Sequence, residues 1–348
     1  MPATLRNVLV IRLSSIGDIV HALPAVSALG ETYPEAEITW VIERRYAVLL
    51  DGNPFVRRII PLDTLGWRKR FASVQTLREI AAAIRALRER RYDAVIDFQG
   101  LIKTALISWT CRSRRRIGYA KFIHREPGAG LFYTEEAPVA EGIHVIRENL
   151  ALVEQLGARP STWRFPLPRN ANDEQYAESR LSGIGDFILI SPGGGWIAKR
   201  WPPDSYAALL ARMKQRREFA GLAIVLTGSP AEEPAIRKIL ETAGSQRAYY
   251  IPATLGQYIA LARRARLFIG GDTGPMHLAA AMGTPVLAIM GPTDTVRNGP
   301  FSLDDIALSN HAPVNHTRRG KSSEFLQGIS VDEVVAAAEQ RLARTHAH

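Results

Sequence analysis

Short apolar runs alternate with amphipathic stretches along most of the chain, and this rhythm predicts the fold. Runs of strand length occur at residues 8–13, 38–42, 94–98, 187–191, 222–227, 267–270 and 285–290. Apolar positions recur at helical spacing in 22–29, 74–90, 143–156, 205–214, 233–241, 275–282 and 331–343. Strands that read as unbroken apolar runs are buried on both faces. Their alternation with helices therefore predicts an α/β protein with parallel sheets covered on both sides. The rhythm stops around 157–170, where Pro160, Pro166 and Pro168 crowd a segment without periodicity. We read a linker at 161–170, between a domain at 1–160 and another at 171–348. The pattern leaves open which domain the last helix packs on, including a return to the first.

Composition narrows the class. With 348 residues, 46% apolar and 22% charged, the chain suits a soluble globular protein of two domains. No apolar run approaches the ~20 residues of a membrane span. A signal peptide is not expected, because Ser14 and Ser15 interrupt the short run after Arg6. The single cysteine, Cys111, excludes an internal disulfide and fits a reducing, cytoplasmic setting. The net charge is +10, with basic clusters at Arg44-Arg45, Arg68-Lys69-Arg70, Arg88 to Arg91 and Arg114 to Arg116. This balance suits an acidic substrate, an anionic membrane surface or nucleic acid. No zinc-finger spacing or aromatic RNA-binding signature occurs, so nucleic acid is set aside. Arg85, Arg88 and Arg91, at helical spacing, read as a solvated face.

Ligands of doubly wound sheets bind beyond the C-terminal ends of the strands. The first such loop, Leu13 to Asp18, has one glycine and so lacks a dinucleotide fingerprint. Taken alone, Asp18 reads first as a helix N-cap and second as a carboxylate at the sheet edge. The loop Ser191-Pro192-Gly193-Gly194-Gly195, followed by Lys199 and Arg200, can turn backbone N–H groups and a cation toward a phosphate; the plainer use is a flexible loop. In Gly270-Gly271-Asp272-Thr273-Gly274-Pro275-Met276-His277 a strand ends in two glycines and a helix starts near Pro275. Its free N–H groups and dipole make an anion site. A capped helix with a buried His277 would explain Asp272 but not the glycine pair. No Asp-any-Asp pair, zinc helix or serine nucleophile elbow occurs, so metal-independent chemistry without a cofactor is expected.

Several longer stretches carry a resemblance: Arg12 through Asp18 to Pro24, Tyr92 through Asp97 and Gln99 to Lys103, and Arg125-Glu126-Pro127 with Leu131 to Tyr133. In the second half they are Lys199 to Pro202, Gly270 to His277, and Gly291 to Asp294. Together they resemble the lipopolysaccharide heptosyltransferases of glycosyltransferase family 9. The resemblance implies a GT-B fold, two doubly wound Rossmann-like domains facing a central cleft, with an acceptor-binding first domain and a nucleotide-sugar donor second domain. It implies inverting, metal-independent transfer from ADP-L-glycero-D-manno-heptose to Kdo of Kdo2-lipid A, at the cytoplasmic face of the inner membrane. Type I is the closer pattern. A type II enzyme shares the Lys199 to Pro202 segment, and a nucleotide-sugar epimerase can use the same architecture.

Residue by residue, the resemblance makes Asp18 the catalytic base, overturning the cap-first reading. Lys199, Asp272, Thr273 and Gly274 would meet the ADP diphosphate, with His277 one turn on. Glu232 would hold the ribose. Gly194 and Gly195 stand where relatives carry hydroxyl residues, so only their backbone could contact the donor. Arg68, Lys69 and Arg70, after a turn-like stretch at 63–66, join Lys121 and Arg125 as a basic acceptor region. Domain closure about 157–170 would complete the site.

Overall fold

The computed structural model describes residues 5–120, 126–195, 199–310 and 324–345. The chain divides into two compact units, Met1–Pro168 and Arg169–His348. Among the described residues each unit is built on one six-stranded sheet, and every strand pairing is parallel.

In the first unit the strands are β1 Asn7–Ile11, β2 Glu37–Glu43, β3 Val56–Leu62, β4 Ala94–Asp97, β5 Arg116–Tyr119 and β6 Glu135–Ala137. They lie in the order β3-β2-β1-β4-β5-β6. The helices are α1 Ile16–Thr32, α2 Thr64–Lys69, α3 Val74–Arg88, α4 Ile102–Thr110 and α5 Val145–Glu154. Central β1 is apolar because it is buried from Val8 to Ile11, and it is flanked by strands on both edges, with Val10 paired to Trp40 of β2 and to Ile96 of β4. Helix α1 extends well beyond the predicted 22–29. It is buried without a break from Ile19 to Leu29, so this part of the helix carries no amphipathic stripe to mark its extent.

The second unit repeats the plan. Its strands are β7 Phe187–Ser191, β8 Ala223–Leu226, β9 Ala248–Tyr250, β10 Leu267–Gly271, β11 Val286–Met290 and β12 Ile306–Ser309. The order is β12-β11-β10-β7-β8-β9. Counting β7 as first, this is the same arrangement as the first sheet, read from the other edge. The helices are α6 Ala171–Leu181, α7 Pro203–Met213, α8 Glu233–Ala243, α9 Leu255–Ala262, α10 Gly274–Ala281, α11 Thr295–Asn298, α12 Glu324–Gln327 and α13 Val331–Thr345. Helix α13, whose packing the pattern left open, lies on α7 and β10 to β12 of its own unit. Val334, Val335, Ala338 and Leu342 enter that core, and buried Arg341 pairs with Asp305 at 2.9 Å.

Residues 158–170 form no helix or strand. This segment is nonetheless fastened to the first unit as far as Pro166. The Ser27 hydroxyl donates to the Arg164 carbonyl at 3.4 Å, and Asn53 Nδ2 to the Pro166 carbonyl at 3.3 Å.

Candidate active site

In a sheet ordered this way, the strand sequence reverses direction beside the first strand, and the loops part there to leave a crevice. In the second unit that point lies between β7 and β10. The loop after β7 carries Gly193, Gly194, Gly195 and Lys199, and β10 runs into Asp272 and α10. Lys199 Nζ lies 2.5 Å from Asp272 Oδ2, and His277 Nε2 lies 3.1 Å from Asp272 Oδ1. Burial alone would push the Asp272 carboxyl up. The His277 hydrogen bond and the Lys199 charge outweigh it and hold the group well below its ordinary range. Asp272 thus positions Lys199 and His277, and its own charge would repel an anion. The donors fitted to a phosphate are the Lys199 ammonium and the start of α10.

That helix start is open. Thr273 is the N-cap, yet no side chain caps the first turn, and the first turn holds no acidic residue. The Thr273 hydroxyl instead donates to the Gly271 carbonyl at 3.3 Å. Gly274 takes the first helical position and Pro275, expected there, the second. The glycine pair has a steric purpose. A Cβ on Gly271 would lie 2.8 Å from the Lys199 carbonyl, and one on Gly270 2.8 Å from that of Ser191. The β7 loop can therefore cross directly over the end of β10. Glu232 reaches the same loop: a Cβ on Gly193 would lie 1.7 Å from Glu232 Oε1. Ser229 fixes Glu232 through its backbone N–H and hydroxyl, both at 2.7 Å. A Cβ on Gly194 would touch the Thr273 methyl at 3.6 Å, whereas one on Gly195 would meet open space. The fold thus gathers Lys199, Glu232, Asp272, Thr273, Gly274, His277 and the glycine loop at one sheet edge.

The corresponding point of the first unit lies between β1 and β4 and is chemically different. Ser15 is the N-cap of α1, and Asp18 is the third helical residue, not the cap itself. The Ser15 backbone N–H and hydroxyl donate to Asp18 Oδ2 at 2.8 and 2.9 Å. Arg12 pairs with Asp18 Oδ1 and donates through its other terminal nitrogen to the Phe98 carbonyl. A buried arginine needs such a partner, and an arginine directly after an apolar strand is the signal in the sequence that points to one. Gln99, part of the resemblance but given no role by it, has one here. It is buried and accepts the Leu13 N–H at 2.8 Å, fixing the loop that presents Asp18. Beneath it lies fully buried Asp97. Burial raises its carboxyl, opposed by the Tyr133 hydroxyl at 2.7 Å and the Gln99 N–H at 2.8 Å. Half-buried Lys103 is pushed down by desolvation, with Glu43 opposing and Arg68 adding to the shift.

The stretch at 63–66 is not a turn. Asp63 caps α2 by accepting the Gly66 N–H at 2.9 Å, so Arg68 and Lys69 sit on the helix. Both are exposed. Arg70 is engaged by Asp63 at 3.3 Å and Glu79 at 3.6 Å. Lys121 and Arg125 lie outside the described residues. Asp294 caps α11 by accepting the Val296 and Arg297 N–H groups.

Two repeats of one doubly wound plan, one with an open anion-ready helix start and one with an oriented carboxylate, have the make-up of the GT-B fold, which nucleotide-sugar transferases and epimerases share. Residues 80–326 match glycosyltransferase family 9 (heptosyltransferase), and the chain belongs to that family. It is 31% identical to lipopolysaccharide heptosyltransferase 1 of Pseudomonas aeruginosa over 88% of this chain and 84% of the relative. Among solved structures, Escherichia coli heptosyltransferase WaaC with ADP superposes with a TM-score of 0.80 at 26% identity, covering 96% of this chain and 99% of that one. The same enzyme with ADP-2-deoxy-2-fluoro heptose gives 0.77 over equal coverage. A solved E. coli heptosyltransferase II, at 22% identity and a TM-score of 0.75, shares the fold.

Proposed function

We propose that this glycosyltransferase is a type I heptosyltransferase of the lipopolysaccharide inner core, working at the cytoplasmic face of an anionic inner membrane. It transfers heptose from ADP-L-glycero-D-manno-heptose to a Kdo hydroxyl of Kdo2-lipid A with inversion. The hydroxyl oxygen attacks the anomeric carbon while the bond from that carbon to the diphosphate oxygen breaks. The proton passes to Asp18, and ADP leaves with the electron pair. Lys199 and the α10 N-terminus meet its growing charge, Glu232 holds the ribose, and no metal is required. Arg68, Lys69 and Arg70, with Lys121 and Arg125, recognise the acidic acceptor.

The observation that carries this reading is the contrast between the two switch points. One helix start is filled by a carboxylate, and the other is open beside a lysine. The likeness to a heptosyltransferase solved with ADP and a fluorinated ADP-heptose supports the donor. The test is transfer of labelled heptose to Kdo2-lipid A with excess EDTA present, beside a reaction holding donor alone. Product in the first and unchanged donor in the second is the expected result. Inhibition reversed by magnesium would refute the metal-free displacement, and donor conversion without acceptor would indicate an epimerase.

A further inference from the structure

The tip made by α2, the turn after it and the start of α3 carries apolar side chains that the first unit does not bury. Phe71 is 78% exposed, Val74 63% and Leu77 61%, with Leu65 beside them on α2. They are not scattered. Val74 and Leu77 are one turn apart on α3, and Phe71 immediately precedes that turn. Helix α2 is fastened against α3, because Trp67 Nε1 donates to Glu79 Oε2 at 2.8 Å and Arg70 reaches the same carboxylate at 3.6 Å.

Charge indicates the partner. Residues 64–78 contain no aspartate or glutamate, but they do contain Arg68, Lys69, Arg70 and Arg78. Arg68, Lys69 and Arg78 are exposed among the apolar side chains. Apolar groups that can enter the headgroup boundary, set among exposed cations and bordered by two carboxylates, Asp63 and Glu79, that are both engaged by Arg70, match a negatively charged bilayer. Position agrees with chemistry. Helix α2 starts directly beyond the C-terminal end of β3, the sheet edge that also carries Asp18, and Thr64 is hydrogen-bonded to Glu43 at the end of β2.

We infer that this tip is a membrane-docking element: Phe71, Val74 and Leu77 seat in the headgroup region of an anionic bilayer, Arg78 meets its phosphates, and Arg68 and Lys69 stay turned to the acidic acceptor held in that same surface. The inference rests on the reading that the acceptor is lipid-held. It brings the Asp18 edge of the sheet to the surface from which that acceptor projects.

The test uses the full chain and vesicles of phosphatidylcholine with or without phosphatidylglycerol, read by co-sedimentation without substrate. The wild type should bind the anionic vesicles and bind them less as salt rises. Phe71→Ser/Val74→Ser/Leu77→Ser should lower partitioning by more than about tenfold while keeping its melting temperature and its KM for a delipidated, soluble acceptor. Phe71→Trp should tighten binding, and Leu303→Ser, at a fully exposed leucine of the second unit, should change nothing. Vesicle binding by the triple variant equal to wild type would overturn the inference, as would wild type that ignores anionic vesicles. A wild-type dimer that the triple variant dissolves would also overturn it, assigning the face to a second copy of the chain. Failure of heptose transfer with intact vesicle binding would count against the proposed reaction alone.

Discussion

Replacing Asp18 by Asn separates a proton acceptor from a structural carboxylate, because the amide keeps the size and one acceptor oxygen but cannot take a proton. Its oxygen can still accept from the Ser15 N–H, so the start of α1 should survive. The Arg12 pair is where stability is lost. Arg12 is only 3% exposed, and the Asp18 side chain retains 20% exposure. Removing one partner of a fully buried pair costs ~3–5 kcal/mol. Partial exposure and the contact Arg12 keeps to the Phe98 carbonyl reduce this to about 1–3 kcal/mol. In a unit of this size that lowers the melting temperature by roughly 3–10 °C. Turnover per folded molecule should fall by ~10²–10⁴, with ADP affinity by calorimetry unchanged. The double variant Arg12→Gln/Asp18→Asn removes the orphaned charge, so it should regain stability but not turnover. Turnover within about tenfold of wild type in the single variant, or recovered in the double, would refute the assignment and leave Asp18 a structural group.

Lys199→Ala should weaken ADP binding by about ten- to a hundredfold, the worth of a charged hydrogen bond, and near-normal affinity by calorimetry would place the diphosphate elsewhere. The depressed Asp272 carboxyl contributes stability that is full above the ordinary carboxyl range and is lost as pH falls below about 3.9. Acid unfolding of Asp272→Asn should accordingly be less steep than that of wild type in that window, and equal slopes would deny the coupling to Lys199 and His277. Arg68→Gln/Lys69→Gln/Arg70→Gln should raise the acceptor KM strongly and the donor KM little, with the defect shrinking as salt shortens screening below ~8 Å. Because Arg70 already faces Asp63 and Glu79, the Arg68→Gln/Lys69→Gln pair should reproduce most of that effect in the same assay.

Legibility followed burial. The seven predicted runs correspond to β1, β2, β4, β7, β8, β10 and β11, whose residues are almost all buried and so had to be apolar. The missed strands include the sheet edges: β3 carries Arg57, Arg58 and Pro61, β6 is Glu-Glu-Ala, and β12 is half-buried throughout. A strand with a neighbour on one side only can be polar, and its pattern dissolves into loop. Helix α6 was missed because only Ala177 is buried, and α9 because nearly all of it is. Neither leaves an amphipathic stripe. The α10 start was legible because cap, proline and glycines are contiguous. The Lys199–Asp272 pair spans 73 residues and the Gln99 bond to Leu13 spans 86, and local pattern carries no trace of such closures.

The repeated topology explains why both units present a helix start at the same place, and the chemistry then turns on what fills it. In α1 an acidic residue in the first turn takes the Ser15 donors and is steered by Arg12. A phosphate approaching there would meet a negative charge. In α10 the acidic residue lies one position before the cap, and its carboxylate is engaged by Lys199 and by His277 one turn into the helix. The first-turn N–H groups and dipole therefore stay available to an anion. In the proposed reaction the terminus with a carboxylate inside its first turn holds the base, and the terminus with a carboxylate just outside it meets the diphosphate. A displacement that must take a proton at one end and release a diphosphate at the other can use both forms of the same structural unit.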